Sequence, residues 1–350
     1  MNFRGIWVKT KDHVLLVVFK FFVFEKRFKG PHWVLSLVQL ADGRVASGYG
    51  NGSISIWNVD SGVCEMVLAG HTNYVTSLVV LANGRLASGS EDNFIRIWNV
   101  RSGECEKTLV NHDVTQISQP ITRLILLRDG RLVPSSMYGL GIRVWNPDSG
   151  VCELTIEDSA NYVLELADGR LISSSLKVWN LKTGVCELTL SGHNNWAVNR
   201  VIQLADGRVV SASADQTVKI WDIATGECLH TCSGHTDTVC QLMGLADGRR
   251  FASAVCDRKP RVWDADSGAC QHVLAGHYDW TTCLLQLADG RLVSGNNDTT
   301  VKVWQLSSGE CLQTLKGHQH HVKCVIQLAD GRLASGCCDC SIVIWKIRRQ

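Results

Sequence analysis

Short stretches of alternating apolar and polar residues recur along the chain, each closed off by a turn signal. In residues 71–110, Val75–Leu81 alternates and leads through Ala82-Asn83-Gly84-Arg85 into Leu86–Ser90, then Phe94–Trp98, then Cys105–Leu109. Runs this short with period two are strands, so the unit holds four of them. The first connection is usually Asp-Gly (42–43, 129–130, 168–169, 206–207, 247–248, 289–290 and 330–331), a pair that tolerates the positive φ of a tight hairpin. Ser-Gly or Thr-Gly follows the third strand, so each unit reads as an antiparallel meander. No helical periodicity competes with it.

Trp57, Trp98, Trp145, Trp179, Trp221, Trp263, Trp304 and Trp345 stand in the same local context, 41, 47, 34, 42, 42, 41 and 41 residues apart. The period of about 41 residues makes eight units. A lone four-stranded sheet cannot bury both faces, and radial stacking into a ring covers them all.

Five units share a further set of polar residues: His71, Ser88, Asp92, Trp98; His193, Ser211, Asp215, Trp221; His235, Ser253, Asp257, Trp263; His277, Ser294, Asp298, Trp304; and His318, Ser335, Asp339, Trp345. In each, Ser precedes Trp by ten residues and Asp precedes it by six. A buried indole N–H needs an acceptor, and a neutral imidazole offers one donor and one acceptor, so Ser and Asp can link the two into a chain of bonds. Over residues 22–347 this pattern resembles the WD-repeat family. The resemblance implies an all-β fold, a closed eight-bladed β-propeller of four-stranded antiparallel blades.

Several units depart from the pattern. Unit one has Asn51 at the Asp position and Gly30-Pro31-His32 where Gly-His belongs; unit three keeps His112, Ser135 and Trp145 but has Gly139 at the Asp position, with Pro134 in its second strand. Unit four lacks the His and is shortened between Ser173 and Lys177. The literal Trp-Asp pair survives only at 221–222 and 263–264. The last unit ends too early for a fourth strand, and Phe22–Phe28 stands where one would lie, with Phe24 and Phe28 matching Cys311 and Leu315. An N-terminal strand is therefore expected to complete the last blade, leaving residues 1–21 as an extension and 22–350 as the propeller. A competing register aligns Gly5-Ile6-Trp7 and His13–Val18 with the stretch around Trp57–Leu68, as a degenerate ninth partial unit.

Composition narrows the function classes. With 45% apolar residues, twelve Trp and five Pro the chain can bury a substantial core, and 35 basic against 33 acidic residues leave a net charge of +2. No whole-protein field draws it to nucleic acid or to a membrane. Seven of the fifteen cysteines (Cys64, Cys105, Cys152, Cys186, Cys228, Cys270 and Cys311) each lie seven residues after a Trp, at equivalent sites too far apart for disulfides. They read as free, mostly buried thiols and favour a reducing, cytoplasmic address, with the nucleus also open. The apolar run Val14–Phe24 is interrupted by Lys20 and lacks a small-residue cleavage site, so it reads as neither signal peptide nor membrane span.

The Ser-His-Asp trio suggests hydrolysis, but a catalytic triad needs one exposed Ser beside an oxyanion hole, and five equivalent buried trios serve packing. No enzyme is expected. Cys337-Cys338-Asp339-Cys340, with His320 and His321, has zinc ligand types at poor tetrahedral spacing, so no metal is expected, and no phosphate cradle or other cofactor motif occurs. Arg44, Arg85, Arg131, Arg170, Arg208, Arg249, Arg291 and Arg332 follow the hairpin turns, each offset by an Asp or Asn two residues earlier.

The resemblance places partner binding on the top face, where the residues preceding the innermost strands include Trp33, Tyr74, Tyr162, Trp196, Trp280 and His321, with Tyr278 beside them. Trp and Tyr are the residues most enriched at binding hot spots. The leading expectation is a non-catalytic scaffold for protein or peptide partners, as a monomer or as a subunit of a larger complex. The alternative is a substrate receptor of a cullin-type ubiquitin ligase, since Trp98-Asn99-Val100-Arg101 resembles the element by which some WD-repeat receptors dock on the adaptor, with Arg101 at its end.

Overall fold

The computed structural model describes residues 5–9, 14–18, 21–111, 120–136, 141–194 and 197–348. Those residues hold eight four-stranded antiparallel sheets and no helix. Blades 1 to 7 span residues 34–68, 75–110, 121–156, 163–189, 198–232, 239–273 and 281–316, each with its strands in chain order. Blade 8 combines Val322–Gln327, Leu333–Cys337 and Ser341–Ile347 with Phe22–Lys29 as its fourth strand. Its first strand packs on Val34–Gln39, the first strand of blade 1, and the ring closes there.

The closing strand has the register expected from the sequence. Phe24 pairs with Trp345 and Phe28 with Ile342, as Cys311 pairs with Trp304 and Leu315 with Val301 in blade 7. A bulge between Phe24 and Lys26 puts Phe22 and Phe28 on opposite faces, although residues six apart in a regular strand share one. Phe22 therefore packs between blades 7 and 8, and Phe28 between blades 8 and 1. Polar contacts hold the same seam: the Phe22 amide donates to Gln313 at 2.9 Å, and Arg332 reaches Asp60 of blade 1 at 2.8 Å and Glu25 of the closing strand at 3.4 Å.

The apolar core is divided among the blade interfaces. Each of eight buried clusters draws its residues from two neighbouring blades, as where Val210, Val218 and Ile220 of blade 5 meet Leu242, Phe251 and Trp263 of blade 6. Hydrogen bonds tie the innermost strands together as well: Thr76 Oγ1 donates to the Ile121 carbonyl and Thr282 Oγ1 to that of Val322, both at 2.6 Å. The innermost strands thus form the wall around the axis, thinnest at blade 4, whose first strand has three residues.

Gly5–Lys9 and Val14–Val18 pair with each other as a separate two-stranded sheet. They stand outside the eight four-stranded sheets. In the turn before the third strand, Asn93, Gln216 and Thr299 adopt φ of 71°, 69° and 71°. Blade 1 has Gly52 there, and a Cβ at that position would lie 2.3 Å from the His71 carbonyl oxygen.

Candidate functional site

The five polar sets assemble as continuous chains of hydrogen bonds. In blade 2 the Trp98 indole N–H donates to Ser88 Oγ at 2.8 Å, Ser88 lies 2.7 Å from His71 Nε2, and His71 Nδ1 lies 2.8 Å from Asp92. One polarity satisfies every group: Trp donates to Ser, Ser to His Nε2, and His Nδ1–H to the carboxylate. The same links join Trp221, Ser211, His193 and Asp215; Trp263, Ser253, His235 and Asp257; Trp304, Ser294, His277 and Asp298; and Trp345, Ser335, His318 and Asp339.

All five Ser side chains are 0% exposed. Their hydroxyls already bridge Trp and His, so no substrate carbonyl reaches them. His318, Cys337 and Asp339 bring three possible metal ligands within 4.8 Å. Both His318 nitrogens belong to the chain just described, and the Cys337 thiol, pushed up to about 12 by burial, donates to the His320 carbonyl at 3.0 Å. The trio is part of the blade's hydrogen bonding.

Burial holds the imidazoles of His193, His235 and His277 below their ordinary pKa, against the pull of their Asp partners. Burial alone would raise the carboxylates, yet hydrogen bonds from His, Thr and backbone N–H groups outweigh it, placing Asp215 at about 2 and Asp257, Asp298 and Asp339 well below the usual range. Unfolded imidazoles take up protons below about 6.5 and unfolded carboxylates below about 4, before the folded ones do. Stability is therefore expected to be highest above about pH 7, to fall first as pH drops through about 6.5, and to fall again below about 4. Urea midpoints at pH 7.5, 5.5 and 3.5 check this; a midpoint that is level or rises from 7.5 to 5.5 contradicts it.

Where the pattern is broken, other residues take over in two blades out of three. In blade 1 the Tyr49 phenol replaces the imidazole: it lies 2.7 Å from Ser47 Oγ, and the Trp57 indole donates to Ser47 at 2.9 Å and to Tyr49 at 3.1 Å. In blade 4 the single carboxylate of Asp158 accepts from Ser173 at 2.5 Å, Ser175 at 2.6 Å and Trp179 at 3.1 Å. Blade 3 differs from the sequence expectation. Trp145 pairs with Leu132, thirteen residues earlier, whereas Trp98 pairs with Leu86, twelve earlier. The extra residue puts Pro134, not Ser135, in the serine's place, and neither Trp145 Nε1 nor Ser135 Oγ finds a partner among the described residues. His112 and Gly139 lie outside those residues.

The family model described as "WD domain, G-beta repeat" matches residues 62–99, 184–222, 226–264, 268–305 and 309–346, more than half of the chain. The chain belongs to the WD-repeat family. Each of the five matched segments contains one complete polar set, and the degenerate blades 1, 3 and 4 supply at most an outer strand. No curated protein sequence matches this WD-repeat chain. Among solved structures it is similar to the WD40 β-propeller domain of Doa1, with TM-score 0.67 and 21% identity over 95% of this chain and 98% of that one.

On the top face of this WD-repeat ring, Trp33, Tyr278 and Trp280 are 40%, 81% and 52% exposed. Their backbones are fixed by the blades. The Tyr278 amide donates to Asp298, and the Trp33 and Trp280 carbonyls accept from Gly50 and Asn297. Trp33 lies beside His32, ring centres 5.0 Å apart, and edge-on to half-buried Tyr74 at 6.2 Å. His321 is half-buried against His320 at 4.3 Å. Trp196 lies outside the described residues. Tyr162 is a correction: it is 6% exposed and packs among Leu176, Leu190 and Val198. It does precede its innermost strand, but that strand, Val163–Glu165, has three residues where its neighbours have six. Three residues are about 10 Å of strand, so the ring sits down inside the wall.

Two further expectations are corrected on the other face and in the thiols. Most turn arginines pair with the expected Asp, as Arg44 with Asp42 at 2.8 Å and Arg131 with Asp129 at 2.7 Å. In blade 6, however, Arg250 and not Arg249 makes the bond to Asp247, and Arg85, lacking an Asp, turns to Glu106 and Asp148. The seven repeat cysteines are free thiols but not buried: Cys105 and Cys270 are exposed and the other five half-buried.

Proposed function

We propose that this WD-repeat chain is a non-catalytic platform that binds protein or peptide partners through the aromatic arc of its top face. The observation that carries this reading is the exposure of Trp33, Tyr278 and Trp280 on backbones already fixed by hydrogen bonds. Rigid aromatics in water lose little entropy when a partner covers them, and such anchors dominate interface energetics. The chain works as a monomer or as a subunit of a larger complex, and its free thiols suit a reducing cytoplasm or nucleus. The neutralised turn arginines argue against nucleic acid as partner.

A Trp33→Ala/Trp280→Ala variant is expected to keep its thermal midpoint and to lose at least tenfold in affinity for whatever wild type captures from cell extract. Full retention of every partner removes the proposal.

One observation favours the ubiquitin-ligase receptor as a second reading. Arg101 is exposed and, among the described residues, its side chain makes no ion pair, unlike the turn arginines. It borders a surface hollow of about 280 Å³ shared with Leu40, Asp42 and Asn99. Adaptor and cullin captured by wild type and lost with Arg101→Ala support this reading, and their absence from the wild-type eluate removes it.

A further inference from the structure

The shortened blade 4 leaves an uncompensated cationic site in the wall of the channel. Arg123 and Arg200 are the third residues of the innermost strands of blades 3 and 5, which are not neighbours. Both nevertheless reach the same ring: their guanidinium carbons lie 5.1 Å and 4.5 Å from the Tyr162 centroid. Side chains from blades on either side of a third can meet only on the axial side of that blade, so the cluster lines the channel. Other blades carry Ser36, Ser77, Gln241, Cys283 and Cys324 at this level. Two positive charges are confined to one arc of the wall.

No carboxylate answers them. Among the described residues neither Arg123 nor Arg200 has an ion pair, and Arg200 Nε is buried without any hydrogen-bond partner. Burial, with Arg123 beside it, lowers Arg200 to about 10, which still leaves it charged at neutral pH. The turn arginines, by contrast, find their acids, as at Arg44, Arg131, Arg170, Arg208, Arg291 and Arg332. A half-buried guanidinium pair held open in this way is costly unless a ligand supplies the counter-charge.

We infer that Arg123, Tyr162 and Arg200 form a subsite for an anionic side chain, a carboxylate or a phosphate ester, of a protein partner that enters the channel. Guanidinium groups recognise either anion through paired N–H donors, and the tyrosine ring holds both stems in place. The inference rests on the reading of the chain as a partner-binding platform and adds the chemistry of what is bound.

The test uses the full chain, immobilised, and four pools of heptapeptides with random flanks and a fixed central Glu, phosphoserine, Gln or Lys. The Glu pool, the phosphoserine pool or both should be retained at least tenfold over Gln and Lys, and the excess should shrink as salt rises. Which of the two is retained identifies the source of the anion. Arg123→Gln/Arg200→Gln should abolish the excess, and Arg123→Lys/Arg200→Lys, which keeps the charge but not the fork, should keep only part of it. Equal retention of all four pools by wild type overturns the inference, as does an excess that survives in the Gln variant. Partner capture by wild type in the same extract distinguishes the two failures: partners without an anion preference leave the platform standing and remove only this subsite.

Discussion

Phe28→Ala is expected to destabilise the protein by about 3–5 kcal/mol, the cost of emptying a fully packed phenyl site. The ring is 3% exposed, stacks on Trp57 with centres 5.4 Å apart, and sits between the last blade and the first. No other strand can fill that seam, so the loss also loosens the closure and exposes the edge of Ser341–Ile347, a template for intermolecular pairing. Phe24→Ala on the same strand is the control. Its ring is 51% exposed, and its removal should cost less than about 1 kcal/mol. Urea unfolding followed by Trp fluorescence, with light scattering for aggregation, separates the two; equal midpoints for both variants would show that the seam does not hold the ring.

Asp158→Ala is the second change with a large expected effect. One buried carboxylate accepts the hydroxyls of Ser173 and Ser175 and the indole N–H of Trp179, a role shared among three residues in the complete blades. Alanine leaves the Trp179 N–H without its acceptor, at about 1–3 kcal/mol, and leaves Ser173 and Ser175 only each other and the Lys177 carbonyl as partners, so a loss of at least about 2 kcal/mol is expected. Asp158→Asn keeps an acceptor oxygen and should cost distinctly less. If alanine and asparagine lower the midpoint equally, and by little, the carboxylate is not the keystone of blade 4.

The repeat was legible because its chemistry recurs at fixed offsets. Ser and Asp at ten and six residues before Trp, and Asp-Gly after the first strand, are local constraints that a single chain displays many times. The closing strand was legible for the same reason, since Phe24 and Phe28 repeat the spacing of Cys311 and Leu315. Substitution through space was not. Asp158 stands 21 residues before Trp179 and fills the polar centre from a position that no other unit uses. Tyr49 does so from the second strand, where its neighbours carry Ser90 or Ser213. In blade 3 one additional residue moved Pro134 into the serine's place, a shift visible only in strand pairing. Tyr162 precedes its strand just as the rim aromatics do, but strand length, not sequence order, sets its depth.

The joining of the first and last strands in blade 8 also orders events in time. Phe22–Lys29 leaves the ribosome before any blade exists, and Ser341–Ile347, which must receive it, is made after all the others. Until then the nascent arc has an open flank at each end, and bringing those ends together is the most non-local step in its folding. A product that stops short of its final strand keeps both flanks bare and is exposed to aggregation or degradation. Circularity thus lets only a finished copy bury its ends.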